Sequence, residues 1–306
     1  MDPMTFDPTI GVVDILQPNV RRIVAPNPSP MTFRGTNTYI VGQRTLGVID
    51  PGPDNDAHLE AILGLAQDGA QITHILVTHS HLDHSPLAAR LSSRIGAQIH
   101  AYGPSGSGQS AVMAELAKTG TLGGGEGVDH HFAPDRILGD GALLKTDEWT
   151  LSAIWTPGHF GNHLSFAMDD VVFCGDHVMD WATSLVSPPD GDLTQFLWSC
   201  DRLLSLDAKR FYPGHGAPIQ TPTARLNWLI AHRKSREAEI IASLRSGPQT
   251  PAQLTDQIYK DVPIHLHPMA ERNVLAHLID LMGKNTVRPV GSLHTAAVFT
   301  LWNEDN

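Results

Sequence analysis

The sequence predicts an α/β fold with a small winged-helix-like module at its C-terminal end. Three observations carry that expectation. From Ile10 to about Pro222, short β-type runs alternate with helical patterns and turn signals. After Gly216 the pattern changes to three helical stretches and a hairpin. Histidines and aspartates gather where the predicted strands end.

The elements follow in order. "NTYIVG" and "TLGVIDPGP" read as two strands close enough to pair as a hairpin, the second ending in a Pro/Gly loop. "DAHLEAILGLAQDG" reads as an amphipathic helix with Leu59, Ile62, Leu63 and Ala66 on one side and Gly69 after its end. "THILVTH" is a strand, and "SPLAARLSSRIG" a helix with Ser85 as N-cap and Pro86 at its first position. "QIHAY", "WTLSAIWTP", "HLSFAMDDVVFCGD" and "RFYPGHG" supply further strands, each running into a polar or glycine-containing loop.

Between Gly103 and Gly141 lies the least regular segment, with one helical piece, "QSAVMAELAK", between glycine-rich stretches. A connection this long reads as an insertion bordering a site. Its glycines neither follow a strong strand nor open a helix, so a phosphate cradle is not expected there. In the tail, "TPTARLNWLIAHRKSREAEIIASLRSG", "TPAQLTDQIYKDV" and "HPMAERNVLAHLIDLMGKNTV" are helices. "VRPVGSLHTAAVFTLW" is a hairpin turning at Gly291-Ser292. The expected units are the α/β domain over 1–222 and the winged-helix-like domain over 223–306.

A chain of 306 residues, 41% of them hydrophobic, can bury a sizeable core. The start lacks a basic n-region and an apolar h-region, and no apolar run approaches the ~18 residues of a membrane span, so a cytoplasmic location is expected, without a membrane partner. Two cysteines, Cys174 and Cys200, make neither a disulfide framework nor a multi-thiolate metal site. Cys174 ends "VVFC" and reads as a small buried hydrophobe. The net charge of -11 disfavours a surface built for nucleic acid. Nine Lys and Arg face eight Asp and Glu after position 223, leaving 12 against 24 before it, so the acidity lies in the larger part.

"VTHSHLDHS" packs His79, His81, Asp83 and His84 into six positions after a strand, where a loop can turn all four toward one point. Imidazole nitrogen and carboxylate oxygen suit zinc, and also iron or manganese. Three later strand ends add His159 in "TPGHFGNH", Asp176 in "CGDH" and His215 in "YPGHG". In each, a preceding glycine lets the backbone turn sharply toward a crowded centre. Seven ligands exceed one tetrahedral ion and suit two divalent ions sharing a carboxylate. His58, His74, His100, His130, His131, His232, His265, His267, His277 and His294 are expected to be surface or satisfied core residues.

"THSHLDHS", "TPGHF", "FCGDH" and "YPGHG", with the early "GVIDPGP", resemble the ordered motifs of the metallo-β-lactamase superfamily over roughly residues 20–220. The resemblance implies an αββα sandwich with metals at one edge between the sheets. It assigns His79, His81 and His159 to the first metal, Asp83, His84 and His215 to the second, and Asp176 to the bridge. Aspartate at 176, where zinc-thiolate lactamases carry cysteine, is similar to the ligand set of glyoxalase II, lactonases and ribonucleases. "APNPSPMTFRGTNTYIVG", "TPGHFGNHLSF" and the tail resemble the β-lactamase-like protein 2 subgroup. That subgroup includes an endoribonuclease acting on single-stranded RNA and thioesterases that release polyketide chains.

The expected function is therefore hydrolysis of a small ester, thioester or lactone by a hydroxide shared between two divalent ions, zinc first and iron or manganese as alternatives. Asp83 would orient the hydroxide and could accept its proton. The resembled subgroup shares the "GHxxxH" spacing, which implies that His163 touches substrate or leaving group; the alternative for it is a strut behind the metal ligands. His177 would point away, and Asn37 would either face the site or cap a turn.

Two rivals remain. In an RNA-cutting enzyme, "HRKSR" at 232–236 could supply phosphate contacts, although only 39 positions separate Asp176 from His215, which leaves no room for the large insertion of RNA-cutting β-CASP enzymes. In a DNA-binding regulator, the tail would read DNA; its third helix has few basic residues and a strong apolar stripe, which suits packing on the first domain or on a second subunit of a homodimer.

Overall fold

The computed structural model describes residues 5–118 and 127–302. One layer is a seven-stranded sheet of β1 (Asp14–Gln17), β2 (Val20–Val24), β3 (Asn37–Val41), β4 (Thr45–Ile49), β5 (Gln71–Leu76), β6 (Gln98–Ala101) and β7 (Arg136–Ile137), ordered as in the chain. The second is five-stranded, β8 (Leu143–Lys145), β9 (Thr150–Trp155), β10 (Leu164–Met168), β11 (Val171–Gly175) and β12 (Arg210–Pro213). β3 and β4 form the expected hairpin, with Tyr39 opposite Ile49. β4 through β7 then run parallel, as do β11 and β12.

The alternation within strands decides the layering. Tyr39, Val41, Ile49 and Leu76 of the first sheet face Trp149, Leu151, Phe166, Phe173 and Tyr212 of the second, forming the central core. The opposite face of the first sheet packs Ile40, Val48 and Ile75 against α1 (Asp56–Leu63) and α2 (Leu87–Ile95), through Leu59, Ile62, Leu87 and Leu91. The outer face of the second sheet takes α4 (Leu193–Leu204), with Val172, Cys174 and Phe211 against Phe196 and Leu203. The expected αββα sandwich is the observed one, and Cys174 is buried in it.

α2 starts at Leu87 and no side chain caps it, which corrects the N-cap expectation for Ser85. The Ser85 hydroxyl lies near the His81 carbonyl (3.2 Å) and the Asp129 carboxylate (2.9 Å), so it ties the ligand loop to the insertion instead. The end of α2 is as read: Gly96 takes φ 75° as its left-handed cap.

The insertion borders the ligand loops, as expected. Asp129 N–H donates to the Ser80 carbonyl (2.8 Å) and Leu82 N–H to Gly127 O (3.0 Å). Its helix α3 (Ala111–Ala117) sends Met113 and Leu116 into the C-terminal core. Part of the glycine-rich run expected there, residues 119–126, lies outside the described residues.

The tail is α5 (Pro222–Leu244), α6 (Pro251–Ile258), a short 3-10 turn at Ile264–Leu266, α7 (His267–Gly283) and a hairpin of β13 (Val287–Pro289) and β14 (Phe299–Leu301). α5 spans two cores. Leu226 and Leu229 join the α4 side of the sandwich, whereas Ile240 and Leu244 pack with Leu254, Val274, Leu278 and Phe299. α7 is buried along Val274–Leu281, and its Asp280 accepts from the Thr194 hydroxyl of α4 (2.6 Å). The apolar stripe therefore faces this chain's own domains, not a DNA groove. No helix among the described residues is long and apolar enough to cross a membrane.

Candidate metal centre

Strand direction collects the site. The loops after β4, β5, β9, β11 and β12 carry Asp50, then His79, His81, Asp83 and His84, then His159, Asp176 and His215 to one edge of the sandwich, where all are buried. His79, His81, His159 and Asp176 form one group and Asp83, His84, Asp176 and His215 another, the donor atoms of each lying within 4.8 Å of one another. Asp176 belongs to both.

Hydrogen bonds fix which way each imidazole faces. The Thr78 hydroxyl donates to Asp50 Oδ2 (2.7 Å), so its oxygen accepts from His79 Nδ1 (3.0 Å). His84 Nδ1 donates to Asp50 Oδ2 (2.9 Å), His159 Nδ1 to the Leu185 carbonyl (2.8 Å) and His215 Nδ1 to the Gly35 carbonyl (3.2 Å). With Nδ1 committed as donor, Nε2 presents its lone pair to the centre. That is the arrangement metal-binding histidines need.

The donor set fits metal ions. His81 Nδ1 lies 2.9 Å from His79 Nε2 and 3.1 Å from His159 Nε2, an approach of three basic nitrogens that a cation relieves. His84 Nε2, Asp83 Oδ1 and Asp176 Oδ1 are buried without a hydrogen-bond partner. Gly214 is required beside them, because a Cβ there would lie 2.2 Å from Asp176 Oδ1.

Electrostatics divide the two groups. Burial, then the neighbouring imidazoles, pushes His79 well below its ordinary pKa; burial and His159 take His81 to about 3. Both are neutral ligands over the whole physiological range. At the second group burial also opposes charge, but Asp83 and Asp176 overcome it, holding His84 well above its ordinary value and His215 at about 10. His215 Nε2 sits 3.1 Å from Asp83 Oδ2 and 3.2 Å from Asp176 Oδ2. Both carboxyls, despite burial, stay ionised far below the usual range because His84 and His215 face them. The carboxylates thus hold positive charge at this point, as protons in the metal-free protein and as metal in the loaded one.

All seven expected ligands converge. His163 does not reach the open space beside them, which corrects the expected substrate contact. It is 0% exposed, its Nδ1 lies 2.9 Å from the Thr156 hydroxyl, and its ring packs 5.2 Å from that of His79. It braces a ligand from behind. His177 points away as expected, stacked on Phe196. Asn37 neither faces the site nor caps a turn: its Nδ2 donates to the Pro213 and Gly216 carbonyls (2.9 and 3.0 Å) and clamps the loop carrying His215.

Among the histidines set aside as structural, His74 and His100 pack together in the fold, and His277 is buried with neither ring nitrogen bonded. His265 is an exposed surface residue, as expected, and also borders the cavity over the centre.

Sequence reasoning passed over Asp50. It accepts from Thr78 N–H (2.7 Å), from the Thr78 hydroxyl and from His84, joining the two groups from below. Its φ of 51° is uncommon outside glycine and asparagine, and its position before Pro-Gly at a strand end was the available signal.

A cavity of about 410 Å³ opens on the centre. His81, Asp83, His159, Asp176 and His215 form its floor, and Met31, Met179, Trp181 and Leu185 rise from the first domain. Tyr259, Val262, His265, Leu266, Met269, Ala270 and Asn273 close it from the tail. Phe33, at φ 58°, stacks on Trp181 with centroids 5.0 Å apart and backs that wall. No lysine or arginine lines the cavity among the described residues.

Residues 31–215 match the metallo-beta-lactamase superfamily, and residues 250–297 match the beta-lactamase associated winged helix domain. A beta-lactamase-like protein 2 homolog of Drosophila melanogaster is 30% identical over 291 residues, covering 91% of this chain and 93% of that protein. The atrochrysone carboxyl ACP thioesterase of Aspergillus fumigatus is 27% identical over 296 residues, covering 90% and 84%. The crystal structure of a metallo-beta-lactamase family protein from Thermus thermophilus superposes with a TM-score of 0.74 at 26% identity, covering 94% of this chain and all of that one.

Proposed function

The chain belongs to the metallo-beta-lactamase superfamily, within the group of beta-lactamase-like protein 2 homologs, and from that premise we propose that this metal-dependent hydrolase cleaves an ester, thioester or lactone with an apolar acyl part. The observation that carries the reading is the cavity: carboxylates and imidazoles on its floor, methionine, tryptophan and leucine on its walls, and no lysine or arginine among the described lining residues. A polyanionic RNA strand gains most of its affinity from lysine and arginine, whereas an acyl group gains it from apolar wall area. The thioesterase among the relatives points the same way.

The donor set favours two divalent ions, zinc first, one on His79, His81 and His159, the other on Asp83, His84 and His215, with Asp176 shared. Held by these residues, divalent ions would activate water near neutral pH and polarise the scissile carbonyl.

The chain's own residues do the rest. Asp83 sets Oδ2 against His84 and His215 (3.4 and 3.1 Å), with the Thr36 hydroxyl 3.4 Å from the same oxygen, and keeps Oδ1 buried without a hydrogen-bond partner. Held ionised, it orients the attacking water better than it stores a proton. Thr78, Asp50 and His163 keep the imidazoles aimed, and the walls exclude bulk water while seating the acyl chain. The partner expected is thus a small-molecule substrate, and the burial of α7 in this chain's own cores offers no support for a homodimer through that helix.

RNA cleavage has less to rest on. Within 232–236, Arg233 is buried, Arg236 pairs with Glu239 (2.6 Å), and Lys234 alone of the three cations is exposed. The test is a zinc-loaded activity panel of acyl thioesters, lactones and single-stranded RNA, with His81→Ala as control. Thioester or lactone hydrolysis lost in the control is the expected outcome. RNA cleavage lost in the control, with the acyl substrates untouched, would overturn the proposal.

A further inference from the structure

His159 differs from its fellow ligands in where its orientation comes from. The acceptors behind His79 and His84 are Asp50 and its partner Thr78, and the one behind His215 is Gly35, all within residues 35–78 of the same domain. The acceptor behind His159 is the Leu185 carbonyl, in the loop between β11 and α4. Both peptide groups flanking Leu185 are held by the tail. The Ser184 carbonyl accepts from Arg233 Nη2 of α5, and the Val186 N–H donates to Asn273 Oδ1 of α7 (3.2 Å). Arg233 Nη1 donates to that same Asn273 oxygen (2.9 Å), closing the bracket.

Arg233 is an expensive residue to place there. It is 3% exposed, and none of the ion pairs among the described residues includes it. Its guanidinium meets the Phe196 ring at 5.3 Å, and its Nε has no hydrogen-bond partner. A buried cation without a counter-ion opposes folding, and joining α5 and α7 to the sandwich does not require it, since Leu226, Leu229 and Ala276 already share an apolar core with Phe196. What the planar fork adds is direction: two donors at fixed angles pin one carbonyl and one side-chain amide.

We infer that Arg233 and Asn273 are positioning residues for the ligand His159, through which the C-terminal domain sets the affinity of the first metal site. The inference rests on the two-ion reading above. It makes the tail part of the metal centre as well as of the cavity wall, although no ligand comes from it.

The experiment loads full-length protein with zinc and withdraws it stepwise with a chelator, for wild type, Arg233→Met, Arg233→Lys and Asn273→Ala, alongside the melting temperature of each metal-free protein. The expected result is loss of one zinc at about 10-fold lower chelator in Arg233→Met and Asn273→Ala, the other zinc being held as in wild type. Arg233→Lys should fail to rescue, because a single ammonium cannot reproduce the fork. Retention of both zincs at wild-type affinity overturns the inference, as does parallel loss of both with a lowered melting temperature. Should Arg233→Met fail to fold, the partly exposed Asn273→Ala decides alone. A wild type that takes up fewer than two zincs overturns the two-ion reading itself, a result the variants cannot mimic.

Discussion

The floor and the wall of the cavity are built by different rules. On the floor, five strand-end loops converge, and every donor atom has a defined partner or is left facing the centre. The wall joins residues 31, 179–185 and 259–273, which share no motif and meet only because α7 packs back onto α4. Polar chemistry demands fixed directions, so it leaves dense local motifs. An apolar wall demands only area, so many side chains serve and no spacing announces them.

The largest expected effect separates the two regions outright. His81→Ala or Asp176→Ala should remove zinc and lower kcat by about 1000-fold or more, whereas replacing an apolar wall side chain such as Met31, Trp181 or Met269 should leave zinc content unchanged. Metal analysis beside steady-state rates checks this. Next, Asp50→Asn should weaken zinc at the second site by about 10- to 100-fold, since the amide offers one acceptor oxygen where Thr78 and His84 use two. Chelator titration reads it.

A smaller effect concerns stability at His58, which meets the Thr38 hydroxyl behind Asp50 and is no ligand. Burial depresses His58 to about 4, below the ~6.5 of an unfolded chain. The fold therefore favours the neutral ring, and the stability it contributes is present above about pH 6.5 and lost as pH falls toward 4. For this buried group the loss is at most about 3 kcal/mol. Metal-free His58→Gln should lose less stability than wild type across that window by urea denaturation, and an identical slope would contradict the assignment. Smallest of all, Lys234→Ala should leave activity on acyl substrates within about 2-fold, being an exposed charge that is not among the residues lining the cavity.

The floor was legible in the sequence because a metal centre repeats one local device, a strand running through a glycine into a ligand. Its supports were partly legible: Asp50 stands in "VIDPGP" as openly as any ligand, but a carboxylate that serves imidazoles and a hydroxyl carries no spacing rule of its own. Leu185 was beyond reading, since a backbone carbonyl leaves no trace in residue type. His163 misled for a related reason, because the spacing that brings it near His79 does not say which side of the ring it occupies. His265 and Met269 reach the cavity through the path of the tail, which only packing decides, and so the winged-helix-like module was foreseen while its share in the site was not. β1, β7 and β8 went unseen as short, largely exposed edge strands without clean alternation, and the interior β2 because Arg21 and Arg22 interrupt its apolar run.

The central claim is that floor and wall are separable, one setting the reaction and the other the acyl group. The most direct measurement is kcat/KM of Met269→Trp on an acetyl thioester and on a thioester of a bulky apolar acid, with zinc content determined on the same sample. Filling the wall should cost the bulky substrate about 10-fold or more, spare the acetyl one and leave zinc unchanged. An equal fall on both substrates, or a loss of zinc, would contradict the account.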